Sequence, residues 1–372
     1  MFFSTKALAL PSLVSLAVAG PTGHNAIFRR ASGTHSARQP ACTVNSVSSA
    51  SDLSDCTSVV IEAFTVPSGK TITIRAAPGA VVSQTGAITF AKTTASGPLL
   101  TIATTNVTYD GNGHNINGNG WLYWDGKGAI GEGKPHPLVK LQEYGTFQSF
   151  TVLDSPAHAI SVGTTGPSTI QHVTVDNSAG NKNKLGVNTD GFDISASDVT
   201  LCNNTVINQD DCVAINNGSN ILVQYMTCVD GHGLSIGSVS SGDSVSNVIF
   251  RQNTVMNSAN GLRIKVKADA ENSFVSNVVY DGNIASNISK YGFILTQSYP
   301  EVFGKAGTKA PITGISFTGS TNSVSVASKA YSVGVNCGNC QGVLDFTGLQ
   351  ATGGRGRKLV AQGVQIQGLG PN

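Results

Sequence analysis

Apolar residues in this chain fall into short alternating runs separated by Gly, Asn and Asp. Five of the runs share one pattern: a small residue, then apolar, variable, apolar. They are Gly191-Phe-Asp-Ile194, Cys212-Val-Ala-Ile215, Gly233-Leu-Ser-Ile236, Gly261-Leu-Arg-Ile264 and Gly292-Phe-Ile-Leu295, starting 21, 21, 28 and 31 residues apart. Alternation with a period of two predicts strands with a buried face. If each is one strand in a stack of coils, spaced at roughly 4.8 Å, the residues just before them form one column: Asp190, Asp211, His232, Asn260 and Tyr291.

A second set runs in phase with the first: His172-Val-Thr-Val, Asn204-Thr-Val-Ile, Asn253-Thr-Val-Met and Asn283-Ile-Ala-Ser, with Tyr225 in the same column. Two phased sets predict a parallel β-helix rather than a sandwich, whose strands would be joined by two-residue hairpin turns. The pattern extends to earlier coils at 71–74, 87–90, 106–109 and 158–162, and to later ones at 315–317, 323–326, 331–335 and 364–366. Val47, Ala50 and Leu53 recur every third residue and predict a short N-terminal helix capping the first coil, whose open edge would otherwise expose unpaired strand groups. The loop 111–133, with Trp121, Tyr123 and Trp124, either lines a binding site or buttresses the stack.

Only 12% of the 372 residues are charged and 43 are Gly, which excludes helical and disordered classes. The length alone suggests two domains, but a solenoid grows without a second core. Residues 39–372 are therefore read as a single all-β parallel β-helix domain. Lys6 precedes the apolar run 7–19, which ends in Ala17-Val18-Ala19, so residues 1–19 read as a signal peptide. The run contains Pro11 and is shorter than the roughly 20 apolar residues a membrane span needs. Residues 20–38 read as a propeptide or flexible leader, with Arg29-Arg30 ahead of Ala31, or Arg38, as processing points. A secreted, extracellular protein without a membrane partner is expected. Taking Lys6, Arg29 and Arg30 from the 23 basic residues leaves 20 against 21 acidic, so the formal +2 becomes about −1. No basic stretch with interleaved aromatics appears, which argues against nucleic acid as a partner.

Seven cysteines suit an oxidising compartment. Proximity suggests the disulfides Cys42–Cys56, Cys212–Cys228 and Cys337–Cys340, although spacing does not determine connectivity. Cys337-x-x-Cys340 reads as a structural staple rather than half of a metal site, and Cys202 as a buried inert thiol. Asn106, Asn203, Asn217 and Asn287 begin sequons, so a glycoprotein is expected, with Asn217 disfavoured by its closeness to the acidic column.

Chemistry concentrates in that column. Successive strand side chains point to opposite faces, so Asp210 and Asp211 face one side only if the chain turns a corner between them. Clustered acids repel, which raises the proton affinity of at least one. A protonated carboxyl beside an ionised one is the requirement of glycosidic cleavage. Alone, an Asp-Asp pair is a solvated turn or a calcium ligand. Here Gly231-His232-Gly233 and Arg263-Ile264-Lys265 lie in register with it. His232 is placed to tune the acid, and its flanking glycines suggest room for an approaching group. Arg263 and Lys265 share a face; they make either structural ion pairs or a seat for a substrate carboxylate.

Asn188-Thr-Asp190, Gln209-Asp-Asp211, Gly231-His-Gly233 and Arg263-Ile-Lys265, followed by Tyr291-Gly292, resemble in order and spacing the signature motifs of the polygalacturonases, glycoside hydrolase family 28. The resemblance covers about residue 42 to the C-terminus and is closest to secreted fungal endo-acting members. It implies a right-handed parallel β-helix that hydrolyses internal α-1,4-galacturonosyl linkages of polygalacturonate and de-esterified pectin, with inversion and without metal or other cofactor. By motif it makes Asp210 the general acid, Asp190 and Asp211 the activators of water, and His232 the support of the acid's protonation. Arg263 and Lys265 would hold a substrate carboxylate, Tyr291 would bind substrate, and Asn188 would help orient its motif. A monomer is expected. After Cys340 the chain reads Val343-Leu-Asp-Phe346 and has no final cysteine pair, a departure from the fungal pattern that concerns the last coil. A calcium-dependent pectate lyase and a non-catalytic β-helix are the competing readings.

Overall fold

The structure, a computed structural model, describes residues 41–130 and 133–369. The expected signal peptide 1–19 and leader 20–38 lie outside these residues, and Gln39–Asn372 form one compact unit. The chain winds as a right-handed parallel β-helix whose strands fall into three stacks, every pairing parallel.

One coil shows the plan. Val199–Cys202 lies in the first stack and Thr205–Ile207 in the second. The long strand Val213–Gln224 then begins in the third stack and continues round a corner into the first stack of the next coil. Alternate residues turn inward: Val199, Leu201, Val206, Val213 and Ile215 have no exposed surface. Each such burial contributes about 1.5–3 kcal/mol, so the β-branched repeat itself drives the winding.

The corner between the first and second stacks depends on backbone geometry. His172, Asn203, Tyr225 and Gln252 adopt left-handed conformations with φ of 54°, 54°, 54° and 50°. The residue after each is a buried rung: Val173, Asn204, Met226 and Asn253. Asn253 and Asn283 extend this into an amide ladder, donating Nδ2–H to Oδ1 of Asn283 and Asn322 at 2.8 and 2.9 Å. A buried amide left without partners would cost about 1–3 kcal/mol, so the ladder is what makes polar rungs tolerable. Thr174 pairs with Thr205 and Thr205 with Thr227. The second set of strands is therefore one residue out of the expected register at His172, and Met226 rather than Tyr225 occupies the rung.

At the N-terminus the expected cap is a single 3-10 turn, Ser48–Ala50, with Ala50 and Leu53 buried. The three expected disulfides join Cys42 to Cys56, Cys212 to Cys228 and Cys337 to Cys340. Cys202 is half-buried rather than buried and accepts a 3.3 Å contact from Asn203 Nδ2. Near the C-terminus Phe346 is buried and stacks on Phe317 with ring centroids 5.2 Å apart.

Candidate active site

The third stack carries the acidic column. Phe192 pairs with Val213, Val213 with Leu234, Leu234 with Leu262, and Leu262 with Phe293. Counting back two residues along each strand aligns Asp190, Asp211, His232, Asn260 and Tyr291. Asp210 and Asp211 sit outside strand geometry at the corner between Thr205–Ile207 and Val213–Gln224. The bend lets neighbouring acids converge: carboxylate oxygens of Asp210 and Asp211 and a ring nitrogen of His232 lie within 4.8 Å of one another. The buried Asn208 ties this corner to the preceding coil by donating to the carbonyls of Thr189 and Asp211, each at 2.9 Å.

The three acids have different surroundings. Asp210 accepts hydrogen bonds from Asn188 Nδ2 at 3.0 Å and from the Asp211 amide at 2.8 Å, and its Oδ1 lies 2.8 Å from His232 Nδ1. Asn188 thus orients Asp210 across the coils rather than its own motif, and its Oδ1 is fixed by the Ala129 amide. Part of the loop 111–133 therefore buttresses the site.

Asp211 is buried and paired with both cations. Arg263 contacts Oδ1, Lys265 Nζ lies 2.6 Å from Oδ2, and Ser235 Oγ donates to Oδ1 at 2.8 Å. Burial pushes this carboxyl up, but Lys265 and Arg263, with the hydrogen bonds of Lys265 and Ser235, outweigh it and hold it well below 3.8. A metal ion on Asp210, Asp211 and His232 would have to displace or face those two cations.

Asp190 is buried as well, and burial, followed by the charges of Asp210, Asp193 and Asp211, raises it well above 3.8 despite the opposing charge of Lys265. Tyr291 stacks on Tyr331 at 5.7 Å and lines a notch of about 70 Å³ with Asn260, Arg263 and Lys265. The glycines around His232 leave no space for a ligand. A Cβ on Gly231 would strike the Asp210 carbonyl, and one on Gly233, where φ is +85°, the Asn260 carbonyl. Their role is close backbone approach between coils.

Sequence reasoning did not single out Ser235, His158 or Asp193 for the site. Ser235 and Asp193 occupy the variable, outward positions of their strands, and Ser235 pairs directly with Arg263. His158 Nδ1 lies 3.0 Å from Asp193 and its Nε2 3.7 Å from Asp190.

Residues 56–366 match the model of glycosyl hydrolases family 28. The chain belongs to glycoside hydrolase family 28. It is 41% identical over 298 residues to an endo-polygalacturonase of Sclerotinia sclerotiorum, covering 77% of each chain. It is 38% identical over 314 residues to endopolygalacturonase I of Aspergillus aculeatus, covering 81% of this chain and 82% of that one. Among solved structures, endopolygalacturonase I from Stereum purpureum, complexed with two galacturonate, superimposes with a TM-score of 0.87 at 47% identity, over 88% of this chain and 98% of that one. In this family 28 hydrolase the resembling motifs therefore meet along the third stack, with a clamped acid and a crowded acid at equivalent positions of adjacent coils.

Proposed function

We propose that this hydrolase cuts internal α-1,4-galacturonosyl linkages of polygalacturonate and de-esterified pectin by general acid and base catalysis, with inversion. Its endopolygalacturonase relatives support the substrate class. The observation that carries the mechanism is the contrast between Asp211, held ionised by two cations, and Asp190, whose crowded carboxylate has the raised proton affinity that a group taking up a proton needs. Asp210, aligned by Asn188 and paired with His232, gives the proton to the departing glycosidic oxygen. Asp190 takes a proton from the attacking water. Asp211, clamped by Arg263 and Lys265, serves instead as a fixed negative charge opposite the positive sugar ring of the transition state. Arg263 and Lys265 edge the notch beside Tyr291, where a uronate carboxylate would find two cations and its sugar ring an aromatic side chain to pack against.

The decisive experiment compares wild type with Asp210→Asn on de-esterified pectin. The expected result is a kcat lower by at least about 10²-fold with binding largely retained; undiminished turnover sinks the assignment. Viscosity should fall faster than reducing ends appear, and the first product anomer seen by proton NMR should be inverted. Activity should survive a chelator, which separates this reading from a calcium-dependent lyase.

Residues 1–19 and 20–38 serve on this reading as signal peptide and leader, and the enzyme acts outside the cell as a monomer. Among the described residues no helix is long and apolar enough to cross a membrane. Mass spectrometry of the secreted chain locates the cleavage point, and light scattering gives the oligomeric state.

A further inference from the structure

His158 lies one coil before Asp190 and at the equivalent position, since Ile160 pairs with Phe192 and the Ala159 amide donates to the Asp190 carbonyl at 2.8 Å. Its ring stands between two carboxylates. Nδ1 is 3.0 Å from Asp193 Oδ2, and Nε2 points toward Asp190 Oδ1 at 3.7 Å. Asp193 projects outward from the strand Phe192–Ser195, which follows Asp190, so one short segment supplies both acids that face the ring.

The cations nearest the other acids are already engaged. Arg263 and Lys265 contact Asp211, one on each oxygen. Asp190, by contrast, faces the charges of Asp210, Asp193 and Asp211, with the charge of Lys265 opposing them. A buried carboxylate that must ionise to accept a proton needs a positive partner close by.

We infer that His158, anchored by Asp193, is a positioning residue whose imidazolium is the counter-ion of Asp190 and favours its ionised form. This rests on Asp190 being the base. The groups facing the imidazole are Asp193 and Asp190, with Asp210 and Asp211 farther off and the His136 ring at 5.0 Å. His136 is itself tethered through Nδ1 to the Lys134 carbonyl at 2.8 Å. Burial alone would lower the proton affinity of His158. The hydrogen bond and charge of Asp193, with Asp210 and Asp211, outweigh that and hold it above 6.5. The imidazolium therefore persists to higher pH than that of a free histidine. A third of the His158 side chain is exposed, so its proton exchanges with solvent without opening the fold.

The test is the pH profile of kcat/KM on polygalacturonate for wild type and His158→Gln. Without the positive ring Asp190 becomes harder to ionise, so the acid-side midpoint should rise by about half a unit or more. A role in packing alone would lower the rate without moving the midpoint, and an unmoved or lowered midpoint in a folded variant overturns the inference. If His158→Gln does not fold, nitrogen-15 NMR of the wild-type histidines decides. One imidazole should titrate above 6.5 and fall back in Asp193→Asn; its absence overturns the inference. Asp190→Asn separates the two levels: retained turnover would remove Asp190 as base, whereas lost turnover with an unmoved His158→Gln midpoint would remove only the role of His158.

Discussion

Asp190 and Asp211 occupy equivalent positions on adjacent coils and are both buried, yet they are opposite in charge preference. Downstream of Asp211 the third stack presents Ser235, Arg263 and Lys265; around Asp190 it presents Asp193 on the strand that follows and His158 one coil earlier. The column decides where an acid stands, and the outward residues of the neighbouring strands decide whether it is ionised. One winding rule can thus place two like groups while their neighbours give them unlike tasks.

Removing each acid should separate the two roles. Asp190→Asn and Asp211→Asn are both expected to reduce turnover by about 10²-fold or more, but their effects on stability should differ in sign. Asp211→Asn strands two largely buried cations and should cost about 3–5 kcal/mol in urea denaturation at pH 7. Asp190→Asn deletes a crowded carboxylate and should raise stability at pH 7.

The pH dependence follows from the same shifts. Asp211 is depressed when folded, so its contribution is present above 3.8 and is lost as pH falls below 3.8 toward the folded value. Asp190 is raised, so it costs nothing below 3.8, and the cost grows as pH rises from 3.8 to the folded value and then persists. The two denaturation profiles should therefore differ from wild type least at low pH and most near neutrality; parallel curves at every pH would erase the contrast. Wild-type kcat/KM should rise with pH through a midpoint above 3.8, set by Asp190.

A smaller effect should come from Ser235→Ala, which removes a 2.8 Å donor to Asp211 and a 3.0 Å acceptor from Arg263 Nε. With both cations still in place, a loss of about 1 kcal/mol is expected. An effect as large as that of Asp211→Asn would mean that the hydroxyl, rather than the ion pairs, holds the carboxylate.

Much of this was legible in the chain. The small-apolar-variable-apolar runs identified the third stack and its column, because every inward residue there is apolar and the period of two is unbroken. The second stack was harder to register. Its buried rung is Val173 on one coil, Asn204 on the next and Met226 after that, so polarity does not mark it. The reading instead followed the polar His172 and the exposed Tyr225, which sit at the left-handed corner before the rung. At the site, the acids were visible because Gly231-His232-Gly233 and Arg263-Ile264-Lys265 lie in register with the Asp-Asp pair. Their partners were not, since Ser235, Asp193 and His158 occupy outward positions that any polar residue can fill. The side to which Arg263 and Lys265 turn was also beyond sequence, because alternation gives a face and not a target.

The unequal intervals of 21, 21, 28 and 31 residues between runs that still align have a further consequence. Surplus chain leaves the stack as turns, such as 240–243 and 268–273, and returns in step. Insertions and deletions in those turns can reshape how a polymer is gripped along its length without moving an acid by an ångström. Chemistry and selectivity on this scaffold are therefore free to evolve separately.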